Sequence, residues 1–145
     1  MEIVTTRTVP APRERVFAAF PDAEALAVWW GPAGFRNTFH EFDFRPGGAW
    51  RFTMHAPDGS DYEMAMHVVD VVPSERIAFR NPQPGHAFVS TFTLHDAPGG
   101  GTRIEWVMRF DDADECERVR AFVEPANEQN LDRLEAHLAS GSPDA

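Results

Sequence analysis

The chain has no lysine. All 13 of its basic side chains are arginine, set against 23 acidic ones for a formal charge of −10. Such an excess of negative charge repels phosphate backbones. The N-terminal arginines, Arg7, Arg13, Arg15, Arg36, Arg45 and Arg51, are dispersed rather than massed, which argues against a nucleic-acid partner. The missing lysine reads as genomic base composition rather than function. Cysteine is nearly absent too: Cys116 stands alone and can form no internal disulfide, in keeping with a cytoplasmic address. Long apolar runs are missing. VVDVV at 68–72 is among the longest, so no membrane insertion is expected. The opening MEIVTTRTV has neither the basic start nor the apolar stretch of a signal peptide.

Several chemical signatures are also lacking. The six histidines (40, 55, 67, 86, 95 and 137) form neither His-x-x-x-His nor HExxH, so no metal site is expected. No G-x-S-x-G elbow and no glycine-rich phosphate loop with its lysine occurs, and no cofactor is implied. Cys116 sits in the acidic stretch DDADECE, where negative neighbours suppress thiolate chemistry. His40-Glu41 with Asp43 nearby offers an acid and a base, but successive strand residues face opposite ways.

What is present is a pattern of elements in 145 residues, a length that suits one domain. EIVTTRTV (2–9) is rich in β-branched residues and ends at Pro10, which predicts a strand. RERVFAAF after Pro12 predicts a helix, and DAEALAVWW a second short one with Asp22 as its cap, stopped at Gly31-Pro32. From Asn37 to Phe110 the chain alternates apolar and polar residues between turns such as RPGG and PDG, as a run of antiparallel strands does. Residues 112–139 return to helical spacing, with Val119, Phe122, Val123, Ala126, Leu131, Leu134 and Leu138 on one stripe. DDADE favours the helix start, and Pro125 predicts a break or kink near Glu124. One domain over 1–139 and a flexible tail over 140–145 are expected.

These elements predict an α+β fold: two short helices after the first strand, then a curved antiparallel sheet of six to seven strands around a long C-terminal helix. The order resembles the START-like superfamily, also called helix-grip or SRPBCC. Within it the chain resembles the branch of activator of heat-shock protein 90 ATPase homologues. The motifs that carry the resemblance are VPAPRERVFAAF (9–20), WWGPAG (29–34), RPGGAWRF (45–52), APDGSDY (56–62), VVPSERI (71–77) and NLDRLEAHLA (130–139). The resemblance implies an apolar cavity between sheet and closing helix. Relatives often carry glycine near Met66 and Ala126, so the larger side chains here would reshape that cavity.

Candidate pocket residues follow from the large apolar side chains of the predicted sheet and helix. They are Trp29, Trp30, Phe35, Trp50, Phe52, Met54, Tyr62, Met64, Met66, Phe79, Phe88, Phe92, Trp106, Met108, Phe122 and Leu134. His40 and Asn130 join them and, with Tyr62, are polar anchors; His67 and Arg51 are further anchor candidates. Each has a plainer reading as core or surface, and alternation leaves open which strand face is inward. Trp29 and Trp30 divide evenly between capping the core and lining a cavity mouth. The methionines suit a deformable wall, whether against ligand or core. No catalytic residue stands out. The leading function is therefore non-catalytic binding of a small apolar or amphipathic molecule. The alternatives are a co-chaperone-like or stress-related protein partner module, and a cyclase- or hydrolase-type enzyme using His40, Tyr62 and His67.

Overall fold

Period-two burial runs through the strands and decides how the sheet stacks. In the computed structural model, which describes residues 1–140, the seven strands are β1 (Glu2–Val9), β2 (Arg36–Phe42), β3 (Ala49–His55), β4 (Asp61–Val72), β5 (Arg76–Asn81), β6 (Phe88–Ala97) and β7 (Gly101–Phe110). They form one antiparallel, curved sheet in the order β1-β7-β6-β5-β4-β3-β2. The tail expected over 140–145 lies, from residue 141 on, outside the described residues.

Three helices complete the fold: α1 (Arg13–Ala18), α2 (Ala23–Trp29) and α3 (Ala113–Ser140). Asp22 caps α2 as expected, its carboxylate accepting from the Glu24 N–H at 3.0 Å. The RPGG segment makes the turn from β2 to β3. Gly48 is required there, because a Cβ at that position would lie 2.1 Å from the backbone oxygen of Asp43. Gly47 and Gly48 also bond the backbone of Val68, which extends the pairing of β3 with β4.

The inward face is set by register. Trp50 faces Met66, Ile77 faces Phe92, and Phe92 faces Trp106 across neighbouring strands. These side chains are buried, whereas Arg51, Glu63 and Ala65 between them are exposed. Against this face lies α3, held at its sides by charge. Arg7 on β1 bridges Glu128, Asp132 and Glu135 at 3.0, 2.9 and 3.0 Å. Leu131, Leu134 and Leu138 are buried beneath it, each contributing roughly 1.5–3 kcal/mol by removal from water.

Two expectations are corrected here. Of the break or kink expected near Glu124, the break does not occur: α3 runs unbroken past Pro125. Pro125 and Ala121 lie on the exposed side, where water can satisfy the carbonyl that proline leaves without its usual donor. Phe122, expected on the apolar stripe, is instead 71% exposed.

Candidate functional site

The space between sheet and α3 is part solid and part hollow. Beneath Leu131–Leu138 it is filled, with Phe20 edge-on to Trp29 at 5.2 Å and Phe92 stacked on Trp106 at 4.6 Å. Beneath residues 122–130 of α3 a cavity of about 410 Å³ remains. Its floor is Met54, Tyr62, Met64 and Met66 from β3 and β4, with Trp106 and Met108 from β7. Trp30, Gly31, Pro32 and Phe35 wall one side. Phe122, Val123, Ala126, Asn127 and Asn130 of α3 form the roof, and Asn81, Gln83 and His86 close the far side.

Among the candidate pocket residues, Trp30, Phe35, Met54, Tyr62, Met64, Met66, Trp106, Met108, Phe122 and Asn130 meet at this cavity. The others do not. Trp29 lies edge-on behind Trp30 at 5.7 Å, outside the cavity wall, and donates its indole N–H to the Ala19 carbonyl at 3.0 Å. Trp50, Phe52, Phe79, Phe92 and Leu134 are fully buried and packed into the filled core; Trp50, for example, lies 4.9 Å from Phe79 ring to ring. Phe88 packs on Phe110 and His86. His40 is exposed and meets the Thr53 hydroxyl at 2.8 Å on the outer face. Arg51 is exposed, and His67 alternates with inward Met66, so neither reaches the cavity. The acid–base set of His40, Tyr62 and His67 is therefore not assembled. Met66 and Ala126 both line the hollow.

The mouth opens between Phe35, Tyr62 and Phe122. The Phe35 and Tyr62 rings stack at 6.5 Å, and Tyr62 is 50% exposed. These residues also line a shallower outer hollow of about 420 Å³ that reaches Pro57, Pro125 and Gln129. One side chain holds the 28–35 segment in place. Arg133 of α3 donates to the carbonyls of Trp30, Gly31, Pro32 and Phe35 at 3.0, 3.0, 2.9 and 2.8 Å, and to that of Val28. Burial draws its pKa below the ordinary arginine value, and among the described residues no carboxylate pairs with it. Gly31 turns the chain there at φ +96°, where a Cβ would meet the Met54 methyl at 2.9 Å.

The polar part of the wall was not foreseen, apart from Tyr62 and Asn130. Asn130 donates to the Trp29 carbonyl at 2.9 Å, and Asn127 approaches the Met108 sulfur at 3.4 Å. Asn81 accepts from the Gln83 N–H at 3.0 Å. Outside the wall, Glu115 in the first turn of α3 accepts from Arg118 at 2.7 Å on each oxygen and meets His86 Nδ1 at 2.5 Å. The Arg118 guanidinium, then His86, hold the Glu115 carboxyl down at about 2. The spacing of Asn127 and Asn130, one helical turn apart, was a readable signal for two amides on one face. His86, in the proline- and glycine-rich segment NPQPGH, carried none. No helix among the described residues is long and apolar enough to cross a membrane, and no three potential ligands there are placed to hold a metal ion.

Residues 10–139 match the family described as activator of Hsp90 ATPase homolog 1-like protein. The chain belongs to that family. Among solved structures it is similar to a Chromobacterium violaceum protein at 28% identity, with a TM-score of 0.78 over 99% of this chain and 98% of that one. The AHSA1 protein of Silicibacter pomeroyi is 23% identical, with a TM-score of 0.80 over 97% and 99% of the two chains. A Nitrosomonas europaea protein shares the fold at a TM-score of 0.87 and 17% identity, over 98% and 96%. Their names state no ligand. None of the curated proteins matches the chain. Family members of this kind share the helix-grip architecture, in which α3 and the sheet enclose the cavity described above.

Proposed function

We propose that the chain, as one domain over residues 1–139, is a non-catalytic binding protein for a small hydrophobic or amphipathic molecule. The observation that carries this reading is the open cavity of about 410 Å³ between sheet and α3, within the roughly 300–1,000 Å³ usual for ligand sites. Its walls are mostly methionine and aromatic side chains, with a few amides for orientation. An apolar hollow left empty forfeits dispersion contacts, which a ligand restores. Family membership supports a ligand-binding helix-grip domain in general terms. The chemistry of the ligand rests on the cavity alone.

The test is mass spectrometry of freshly purified protein, native against denatured. A reproducible extra mass released on denaturation is expected and would identify the ligand. A clean apoprotein mass, together with failure of apolar probes to bind, would overturn the reading. Docking of a protein partner is the second reading, favoured by the exposed Phe122 ring at the mouth and by an acidic surface suited to a basic partner. Its support would be a clean apoprotein mass together with a stoichiometric complex that Phe122→Ser abolishes.

A further inference from the structure

We infer that the cavity selects an uncharged, ring-bearing hydroxyl compound, whose hydroxyl donates to Nε2 of His86. This rests on the binding function proposed above and narrows its ligand.

The direction of the hydrogen bond follows from Glu115. Its side chain is 8% exposed and is forked by Arg118, which keeps it a carboxylate, its pKa being held at about 2. A carboxylate only accepts hydrogen bonds, so the contact of 2.5 Å requires the proton on His86 Nδ1. In the neutral imidazole the remaining nitrogen, Nε2, is then an acceptor. Among the described residues no side chain or carbonyl occupies it. His86 lines the cavity, whereas Glu115 stands behind it. Glu115 is thus a positioning residue: it fixes the tautomer from the second layer.

The absence of charge in the ligand follows from the rest of the wall. The other hydrogen-bonding side chains there are the amides of Asn81, Gln83, Asn127 and Asn130, the phenol of Tyr62 and the indole N–H groups of Trp30 and Trp106, the latter donating to the Ser90 hydroxyl. No arginine, aspartate or glutamate is among them. The nearest cations are engaged, Arg118 by Glu115 and Arg133 by backbone carbonyls. An anion would enter unpaired and against a formal charge of −10, a costly burial. Ring character follows from Trp30 and Trp106, which offer large flat surfaces, and from methionines that adapt around them.

The experiment is equilibrium dialysis of the full chain near neutral pH with β-naphthol, its methyl ether and β-naphthoate. The three share one ring system and differ in a donor hydroxyl, a blocked hydroxyl and a charge. Naphthol is expected to bind about tenfold more tightly than either of the others, as one buried hydrogen bond implies. His86→Phe, which keeps a ring of similar shape, should bring naphthol to the level of the ether measured in the same variant. Glu115→Gln, which releases the tautomer, should reduce the ratio of naphthol to ether with the fold intact by circular dichroism. Equal binding of naphthol and ether, tightest binding of naphthoate, or an unchanged ratio in a folded variant would overturn the inference and leave the binding function standing. No binding of any probe would overturn both.

Discussion

At the scale of the residue, the two ends of the cavity are held by arginine used in opposite ways. Arg133 has its terminal nitrogens aimed at five backbone carbonyls of the 28–35 segment and, among the described residues, no acidic partner. Hydrogen bonds from a charged donor contribute about 1.5–3 kcal/mol each when buried, less where water competes. Arg133→Met, which keeps the stem, should therefore destabilise the protein by about 2–4 kcal/mol in urea unfolding. Lysine there should rescue only part, because a point donor cannot span the carbonyls that a planar fork reaches. Arg118 instead neutralises Glu115. That carboxyl sits at about 2 against an ordinary 4.5. Its folded pKa is depressed, so its contribution to stability is present above the ordinary value and is lost as pH falls from about 4.5 toward 2. Urea midpoints of the wild type and Glu115→Gln, compared along that range, should differ most near neutrality and converge at the acid end. A constant gap would show that the carboxyl charge is irrelevant there.

At the scale of the element, α3 does three jobs with one length of helix. Its C-terminal half fills the core with Leu131, Leu134 and Leu138, its middle roofs the cavity, and its first turn anchors His86. Pro125 lies within the roofing stretch without interrupting the helix. Replacing it by alanine restores a backbone donor to the Ala121 carbonyl and removes a steric conflict. Pro125→Ala should raise stability by about 1–3 kcal/mol, read from the thermal midpoint. A loss of stability would mean that the proline bends α3 to fit the sheet. The β2–β3 turn shows the converse, a local demand met in advance: Gly48 sits where a Cβ would strike the Asp43 oxygen at 2.1 Å.

At the scale of the whole molecule, a curved sheet and a single long helix cannot meet everywhere, and the gap is the cavity. Ala126 borders both the inner hollow and the outer one. Ala126→Phe should fill the passage between them. Under the proposed function it should abolish any mass released on denaturation while costing no more than about 1 kcal/mol of stability, since the ring enters existing space. Retention of the released mass by a folded Ala126→Phe protein would put the binding site elsewhere.

Much of this architecture was legible in the chain. Local rules were enough where a residue's neighbours in sequence are also its physical environment. Asp22 could be read as a cap, RPGG as a turn and alternation as strands because backbone geometry over a few residues decides each. The motifs spread from Val9 to Ala139 made the helix-grip fold an expectation, and the sheet and α3 have that form. Which large side chain meets empty space was a different matter. Trp29 and Trp30 are adjacent and chemically identical, yet one is sealed in the core and the other faces the hollow. His86 and Glu115 stand 29 residues apart and meet at 2.5 Å. Such choices depend on the curvature of the sheet and on where α3 crosses it, quantities summed over the whole chain and absent from any short stretch of it. The sequence by itself therefore determined the elements, their order and the supply of apolar side chains. Only tertiary packing decided which of those side chains became wall and which became core.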